Sequence, residues 1–205
     1  MKKIPILLLF ILNAVVGFSG NIVLQESFDN PNTKLNIIGR GDVRIEYGVL
    51  KTKDAYAVFG DTTLGNYRAT FRARVPENAE QVQIWAGFRH HNRFDRYVVG
   101  LKGGLQNNIE VFRMGYMGAD ELIDIQPLYF KPKMGEWYQF TIEVYDSNIR
   151  ISVAGNSMYA EKEIETYDKN FNFAPNGGIT LGGSWIETEF DNLKIEKMEE
   201  ENLYS

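Results

Sequence analysis

The chain has 205 residues, of which 44% are hydrophobic, 13% aromatic and 24% charged, and its formal net charge at pH 7 is −5. This apolar content predicts a folded chain, and the length fits one all-β domain. The absence of cysteine excludes disulfides, thiol catalysis and cysteine-ligated zinc or iron–sulfur clusters. The acidic balance argues against nucleic acid as a partner, because nonspecific binding to phosphates needs a basic surface.

The N-terminus has the layout of a secretory signal peptide. Lys2 and Lys3 precede an apolar run that ends at Val16, and the small residues Gly17 and Ser19 suit a signal-peptidase site. The apolar run is shorter than the roughly 20 residues that a membrane span needs. The alternative for this segment is a buried N-terminal helix.

These features divide the chain into three parts. We predict a signal peptide at 1–19, one domain at 20–198 and a disordered acidic tail at 199–205. No stretch after the signal is long and apolar enough to span a membrane. We therefore expect a secreted or periplasmic protein with no membrane insertion after cleavage.

Short segments of the mature chain alternate between apolar and polar residues, with turn residues between them. From Tyr67 to Val75 every second residue is apolar, and arginine or threonine fills the other positions. The same pattern marks the segments 66–75, 81–89, 96–102, 108–114, 137–145, 148–153, 178–181 and 189–195. This spacing predicts an all-β fold, a two-sheet antiparallel β-sandwich with jelly-roll connections. The best candidate for a short helix is Glu161–Tyr167.

The order of several segments resembles a known group of domains. QESFDN near the mature N-terminus is followed by IEYGVLKTK (Ile45–Lys53, interpreted as one strand), GNYRATFRARV, WAGFRHHNRFDRYVVGL, GEWYQFTIEVYDSNIRISV and TEFDNLKIEK. This order is similar to the concanavalin A-like (laminin G-like) β-sandwich domains of secreted bacterial carbohydrate-active proteins, in particular those attached to family 2 glycoside hydrolases. The wider group includes 3-keto-disaccharide hydrolases. The resemblance covers about Leu24–Lys197. It implies a jelly roll, an oligo- or polysaccharide as ligand, a glycoside hydrolase domain as partner and often a structural Ca²⁺ ion.

Candidate sugar-binding residues are those on the polar side of the predicted strands. Aromatic rings stack on the C–H face of a sugar, and polar side chains bind its hydroxyls. Alternation places Trp85 with Gln83, away from Ile84. The predicted binding residues are Arg72, Gln83, Trp85, Arg89, Arg93, Arg113 and Trp185. The alternatives are that a loop covers Trp85 and that Trp185 packs within its own loop.

The segment RHHNRFDR at 89–96 is the densest polar cluster of the chain. One interpretation is a rim that binds hydroxyls or a uronic-acid carboxylate, because arginine makes bidentate contacts with carboxylates. The other is a solvated hairpin in which Asp95 pairs with Arg93 or Arg96.

Acidic residues at the two ends of the domain are the candidate calcium ligands that the resemblance implies. Glu26 or Asp29 near the first strand and Asp191 in the last match those positions. Calcium takes carboxylate and carbonyl oxygens, which these residues can supply. The alternative is that Asp29 forms a turn before Pro31.

Catalysis is the alternative function. Glycoside hydrolysis normally uses two carboxyl groups across a cleft, and the nearest pattern is Glu187-x-Glu189-x-Asp191. LYFKPKMGEWYQF resembles a lyase strand, but the arginine–glutamate–arginine motif of that family is missing from RATFRAR. We therefore expect a noncatalytic carbohydrate-binding module. A glycoside hydrolase, a 3-keto-disaccharide hydrolase and a structural assembly module remain the alternatives.

Overall fold

A computed structural model of the chain describes residues 21–115, 121–157, 159–169 and 174–199. The predicted signal peptide at 1–19 and all but the first residue of the predicted tail at 199–205 lie outside these residues. The described residues are all-β and include no helix that could cross a membrane.

Thirteen strands form in the described part of the chain, and their pairings are antiparallel. The strands are β1 (Asn21–Glu26), β2 (Asn36–Glu46), β3 (Val49–Phe59), β4 (Tyr67–Arg74), β5 (Gln83–Asn92), β6 (Asp95–Lys102), β7 (Asn108–Met114), β8 (Glu121–Pro127), β9 (Tyr138–Tyr145), β10 (Asn148–Ala154), β11 (Glu161–Tyr167), β12 (Gly178–Gly182) and β13 (Thr188–Lys197).

The strands are arranged in two stacked layers, which confirms the predicted β-sandwich. Layer A has the order β11-β10-β9-β4-β13-β1, and layer B has the order β2-β3-β12-β5-β6-β7-β8. The layers join along one side, because the first residues of β13 pair with β3 before the strand continues beside β1. On the opposite side the outer strands β8 and β11 contact each other.

The core lies between the layers and uses the apolar sides of the alternating strands. Every second residue from Tyr67 to Val75 is fully buried, as predicted. Phe71 stacks on Phe140 with ring centroids 5.0 Å apart in layer A. Burying one large apolar side chain contributes about 1.5–3 kcal/mol, so a one-residue slip in register would be costly.

The segment Glu161–Tyr167, the best candidate for a short helix, is a strand. This segment is β11, which pairs with β10 over its whole length. Ile164 is buried in the core, and the glutamates on either side of it are exposed. The gain from burying Ile164 and pairing the backbone outweighs the helical preference of the glutamates and lysine.

The sequence had indicated one strand at Ile45–Lys53, and this prediction is wrong. This segment contains the turn between β2 and β3, formed by Tyr47 and Gly48 with φ values of 54° and 74°. Positive φ at both turn residues is the geometry of a type I′ hairpin, whose twist matches the flanking strands. The turn was missed because tyrosine is not a usual residue for a left-handed position.

Candidate functional site

Layer B has an outward face that carries aromatic and polar side chains. Ile84, Ala86 and Phe88 of β5 point into the core, so alternate residues of this strand and of its neighbours point away from it. We call this surface the β5 face. Its residues are Tyr56, Thr180, Gln83, Trp85, Gly87, His90, Arg96, Val98, Gly100, Lys102, Asn108, Glu110 and Phe112.

Trp85 and Phe112 form a partly exposed aromatic pair at the centre of the β5 face. Trp85 pairs in register with Gly100, and a Cβ atom on Gly100 would lie 3.3 Å from the indole Cδ1 and Nε1. The indole therefore lies close to the backbone of β6, in space that a glycine leaves open. The ring of Phe112 meets the indole edge-on, with centroids 5.6 Å apart and an interplanar angle of 73°. The pair joins three strands into one platform.

Polar side chains border this platform on the side where β5 begins. Lys102 Nζ lies 2.6 Å from Glu110 Oε2, on strands β6 and β7. Gln83 and Lys102 line a cleft of about 360 Å³ together with the loop that follows β6. The platform therefore continues into a cleft with amide, ammonium and carboxylate groups at its edge.

Two buried polar atoms of the β5 face have no hydrogen-bond partner in the part of the chain that the structure describes. They are Nε1 of Trp85 and Oδ1 of Asn108. An unpaired buried donor or acceptor costs about 1–3 kcal/mol, and native proteins contain few of them. Both atoms have almost no solvent-accessible surface, so a ligand can pair with them only if the neighbouring side chains move.

Tyr56, His90 and Arg96 occupy the end of the β5 face near the β5–β6 hairpin, and all three are buried. The guanidinium of Arg96 lies 4.2 Å from the centroid of the Tyr56 ring, and His90 meets the same ring edge-on at 5.7 Å. Burial, followed by the positive charge of Arg96, lowers the pKa of His90 to about 4. Burial also raises the pKa of Tyr56, and Arg96 opposes that change. His90 is therefore neutral at pH 7.

A second, larger cleft lies beside the loop between β12 and β13. It has a volume of about 530 Å³, and Trp185 forms part of its wall with 48% of its surface exposed. We call it the Trp185 cleft. Its polar lining residues are Lys53, Asp54, Asn78, Glu80 and Glu187.

The structure brings two of the predicted binding residues, Gln83 and Trp85, together on the β5 face. Trp185 lies in the second cleft, and Arg93 is at the tip of the β5–β6 hairpin, 5.5 Å from the centroid of the Phe94 ring. Arg72 is on the outward face of layer A, on the other side of the sandwich from Trp85.

Arg89 and Arg113 do not share the face of Trp85, contrary to the prediction. Arg89 has φ 49° at an irregularity in the β5–β6 pairing and is 1% exposed. Its backbone N–H donates to the hydroxyl of Tyr67 at 2.8 Å, and burial lowers the pKa of its guanidinium. Arg113 pairs in register with the core residue Tyr97 and lies 3.0 Å from Asp168. A bulge and a buried ion pair therefore displace both arginines.

The predicted calcium ligands do not converge. Glu26 Oε1 accepts the backbone N–H of Phe28 at 2.8 Å, Asp29 Oδ2 accepts the Ser27 hydroxyl at 2.8 Å, and Asp191 Oδ1 accepts the backbone N–H of Asn192 at 2.7 Å. No three histidine or acidic side chains among the described residues are placed to hold a metal ion. These carboxylates therefore do not fit a Ca²⁺ ion as a set, and no other group of described acidic residues provides a site for the ion that the resemblance implies.

The three acids of the catalytic alternative each face an arginine. The pairs are Glu187 with Arg44 at 3.1 Å, Glu189 with Arg74 at 2.7 Å and Asp191 with Arg72 at 4.0 Å. The three carboxylates are therefore engaged with guanidinium groups of the protein itself. This arrangement favours a structural role for Glu187, Glu189 and Asp191.

Phe112, Gly100 and Asn108 also belong to the site, although they were not among the residues predicted from the sequence. Alternation in 108–114 already places Phe112 opposite the apolar Ile109 and Val111. Comparing that position with Trp85 would have suggested a pair of exposed rings. The contribution of Gly100 depends on the register of β5 against β6, which the pattern of one strand does not contain.

No protein-family model and no curated protein matches the sequence. Solved structures do match in fold. Lectin II from Ulex europaeus aligns with a TM-score of 0.61 and 12% identity, over 87% of this chain and 100% of the lectin. The carbohydrate-binding module CBM66 from Bacillus subtilis aligns with a TM-score of 0.57 and 11% identity, over 86% of this chain and 98% of the module.

A third structure is domain 4 of AbnA, a GH43 extracellular arabinanase from Geobacillus stearothermophilus, in complex with arabinotriose. It aligns with a TM-score of 0.51 and 13% identity, over 87% of this chain and 93% of that domain. The chain therefore has the concanavalin A-like jelly-roll fold that legume lectins and such modules share. At these identities the similarity establishes the fold alone.

Proposed function

We propose that this protein binds a saccharide chain on the β5 face without cleaving it. The observation that carries the proposal is the Trp85–Phe112 platform, whose partly exposed rings lie outside the core with the polar side chains of Lys102 and Glu110 at their border. A sugar ring presents a C–H face that stacks on aromatic rings, and its hydroxyls both donate and accept hydrogen bonds. The chemistry of the surface and that of a sugar are therefore complementary.

The neighbouring cleft supports a ligand longer than one sugar. Gln83 and Lys102 belong both to the β5 face and to the cleft of about 360 Å³. A ligand stacked on Trp85 can extend into that cleft and hydrogen-bond to the amide and the ammonium group. The fold agrees with this use, because structures with the same fold include lectins and carbohydrate-binding modules.

The carboxylates of the β5 face favour binding over hydrolysis. Among the outward residues of β5, β6 and β7, Glu110 is the carboxylate, and it is ion-paired with Lys102 at 2.6 Å. Glycosidases normally need two carboxyl groups on opposite sides of the scissile bond. The face supplies stacking and hydrogen bonding without that pair.

The proposal extends to export and to work beside a polysaccharide-degrading enzyme. Export is supported by the basic, apolar and small-residue layout of residues 1–19. Work beside an enzyme is supported by the fold of domain 4 of the arabinanase AbnA. Finding the intact N-terminus on protein recovered from the producing cells would contradict export.

Binding is tested with an array of immobilised plant, algal and bacterial polysaccharides, followed by titration of the retained glycan. Trp85→Ala is expected to weaken binding by about 1–3 kcal/mol, by analogy with other aromatic stacking contacts. Gly100→Ala is the second variant, because its new methyl group would contact the indole at 3.3 Å. Trp137→Ala, on layer A, is the matched control.

Thermal unfolding of every variant separates loss of binding from loss of fold. Weaker binding by folded Trp85→Ala and Gly100→Ala, with unchanged binding by Trp137→Ala, would support the proposal. Equal affinities for all four proteins would remove the β5 face as the site. Release of shorter sugars from the retained glycan would favour the hydrolase alternative.

A further inference from the structure

The loop that carries Trp185 holds a large apolar side chain in water. Trp185 is 48% exposed, whereas its neighbours Ser184 and Ile186 are 1% and 6% exposed. Exposed aromatic rings in a concave, otherwise polar surface are typical of ligand sites. The buried neighbours show that the exposure is local to this one side chain.

Hydrogen bonds hold the backbone on both sides of Trp185. The backbone N–H of Asp54 donates to the carbonyl of Ser184 at 2.8 Å, and the N–H of Gly183 donates to the carbonyl of Ala55 at 3.0 Å. On the other side, the N–H of Ile186 donates to the Ser184 hydroxyl at 3.0 Å. A loop whose backbone is ordered before binding loses little conformational freedom when a ligand arrives.

The cleft beside this ring has the size and polarity for a sugar unit. Its volume of about 530 Å³ falls within the range of roughly 300–1,000 Å³ that is usual for small-molecule sites. Asp54, Glu80 and Asn78 line it together with Trp185. Carboxylates accept two or more hydroxyl donors each, and such charge-assisted bonds are shorter and stronger than neutral ones.

The charges of the lining select against anions. Three carboxylates and one ammonium group, that of Lys53, line the cleft. Arg44 lies 3.1 Å from Glu187, so Asp54 and Glu80 supply most of the negative potential. A uronic acid would place its carboxylate among like charges, whereas an uncharged sugar brings only hydroxyl donors and acceptors.

We infer that the Trp185 cleft is a second saccharide site, separate from the β5 face, which binds an uncharged sugar unit and rejects uronic acids. The inference rests on the proposed function for the class of ligand. The two sites share no lining residue among those given for the β5 face and the Trp185 cleft. They are adjacent, because the Ser184 hydroxyl also lies 3.4 Å from Gln83 Oε1.

The test uses Trp85→Ala as the background, so that binding at the β5 face is weakened. Isothermal titration calorimetry compares neutral oligosaccharides (cello-, xylo-, manno- and galacto-hexaose) with oligogalacturonate and oligomannuronate of equal length. The variants added to this background are Trp185→Ala, the double change Asp54→Asn with Glu80→Gln, and Trp137→Ala as control. Asparagine suits position 54, because it tolerates the positive φ of 55° found there.

The inference predicts that Trp85→Ala still binds at least one neutral hexaose and binds the uronates at least tenfold more weakly. Adding Trp185→Ala should weaken binding of the neutral hexaose at least tenfold, whereas adding Trp137→Ala should leave this binding unchanged. The double amide change should reduce the discrimination against uronates. Equal binding of neutral and acidic chains, or no effect of Trp185→Ala, would overturn the inference.

The two proposals fail in different ways. Complete loss of binding in Trp85→Ala would leave the β5 face as a single site and remove the Trp185 cleft. Unchanged binding in Trp85→Ala, together with loss in Trp185→Ala, would keep the cleft and remove the β5 face. Absence of saccharide binding by the unaltered protein would overturn both.

Discussion

The outward faces of the two layers differ in how their tryptophan rings are packed. On layer A, Arg68 and Glu143 lie 2.6 Å apart, and Trp137 has the guanidinium groups of Arg72 and Arg74 within 4.8 Å and 4.5 Å of its ring centroid. On layer B, Trp85 packs against a glycine and a phenylalanine, and its N–H has no partner among the described residues.

The difference shows why one tryptophan suggests a ligand and the other does not. Long arginine side chains cover the ring of Trp137 and keep their charged groups in water. Trp85 packs against Gly100 and Phe112 instead, and Gln83, two residues before it, lines a cleft. Layer A is therefore interpreted as a solvated structural surface, and layer B as a binding surface.

The largest predicted effect concerns pH, because layer B buries a neutral imidazole. The pKa of His90 is about 4, below its usual 6.5, so between these values the unfolded chain binds a proton that the folded chain does not. Stability should therefore be complete above pH 7 and fall as the pH drops from about 6.5 to about 4. The loss amounts to at most about 3 kcal/mol.

Urea unfolding of the wild type and His90→Gln at pH 7 and pH 4.5 measures this effect. Carboxylates contribute equally to the pH dependence of both proteins. The difference between their losses of unfolding free energy from pH 7 to pH 4.5 therefore isolates His90. Equal losses of unfolding free energy in the two proteins would mean that His90 is protonated or exposed in solution.

The next effect concerns the two tryptophans. Trp85→Ala should weaken glycan binding by about 1–3 kcal/mol, because a stacking partner is lost. Trp137→Ala should leave the affinity unchanged, since its ring is covered by arginines. Isothermal titration calorimetry with the glycan retained on the array measures both. A larger loss in Trp137→Ala would reverse the roles of the two layers.

A smaller effect is expected from the ion pairs of layer A. Arg68→Gln should lower the free energy of unfolding by less than about 1 kcal/mol, because a partly exposed pair gains little in water. The difference should shrink in 1 M NaCl, where the Debye length is about 3 Å. A loss of unfolding free energy several times larger would show that the Arg68–Glu143 pair contributes more to stability than a solvated surface pair does.

The smallest effect is expected from chelation. Glu26, Asp29 and Asp191 are each engaged with neighbouring groups, so EDTA should change the thermal midpoint no more than repeat measurements differ. A clear fall of the thermal midpoint with EDTA that CaCl₂ reverses would establish a calcium site and contradict this prediction.

The strands of the core could be predicted because period-2 alternation determines them locally. Tyr67–Val75 has the burial that its sequence pattern indicates; in 81–88 the apolar residues are buried as expected, but Gln83 and Gly87 on the polar side are buried too. Glu161–Tyr167 could not be assigned in this way, because its helix-favouring residues form a strand only when β10 is available for pairing. Tyr47 and Gly48 were missed because the adjoining strands, and not the residue types, impose the turn.

The site was predictable in part for the same reason. Alternation alone placed Gln83 and Trp85 on one face. It failed at Arg89, where a bulge changes the direction of the chain, and at Arg113, which is drawn to Asp168 from a distant part of the sequence. The Trp185 cleft depends on strand β3 and two loops, which meet only in the folded protein.

The central claim is that saccharide binds over Trp85 on the β5 face. The most direct measurement is an NMR titration of the three tryptophan indole N–H signals, each assigned with a Trp→Phe variant. Glycan addition is predicted to shift the Trp85 signal strongly and to leave that of Trp137 in place. Saturation with glycan that leaves the Trp85 signal unmoved would contradict the account.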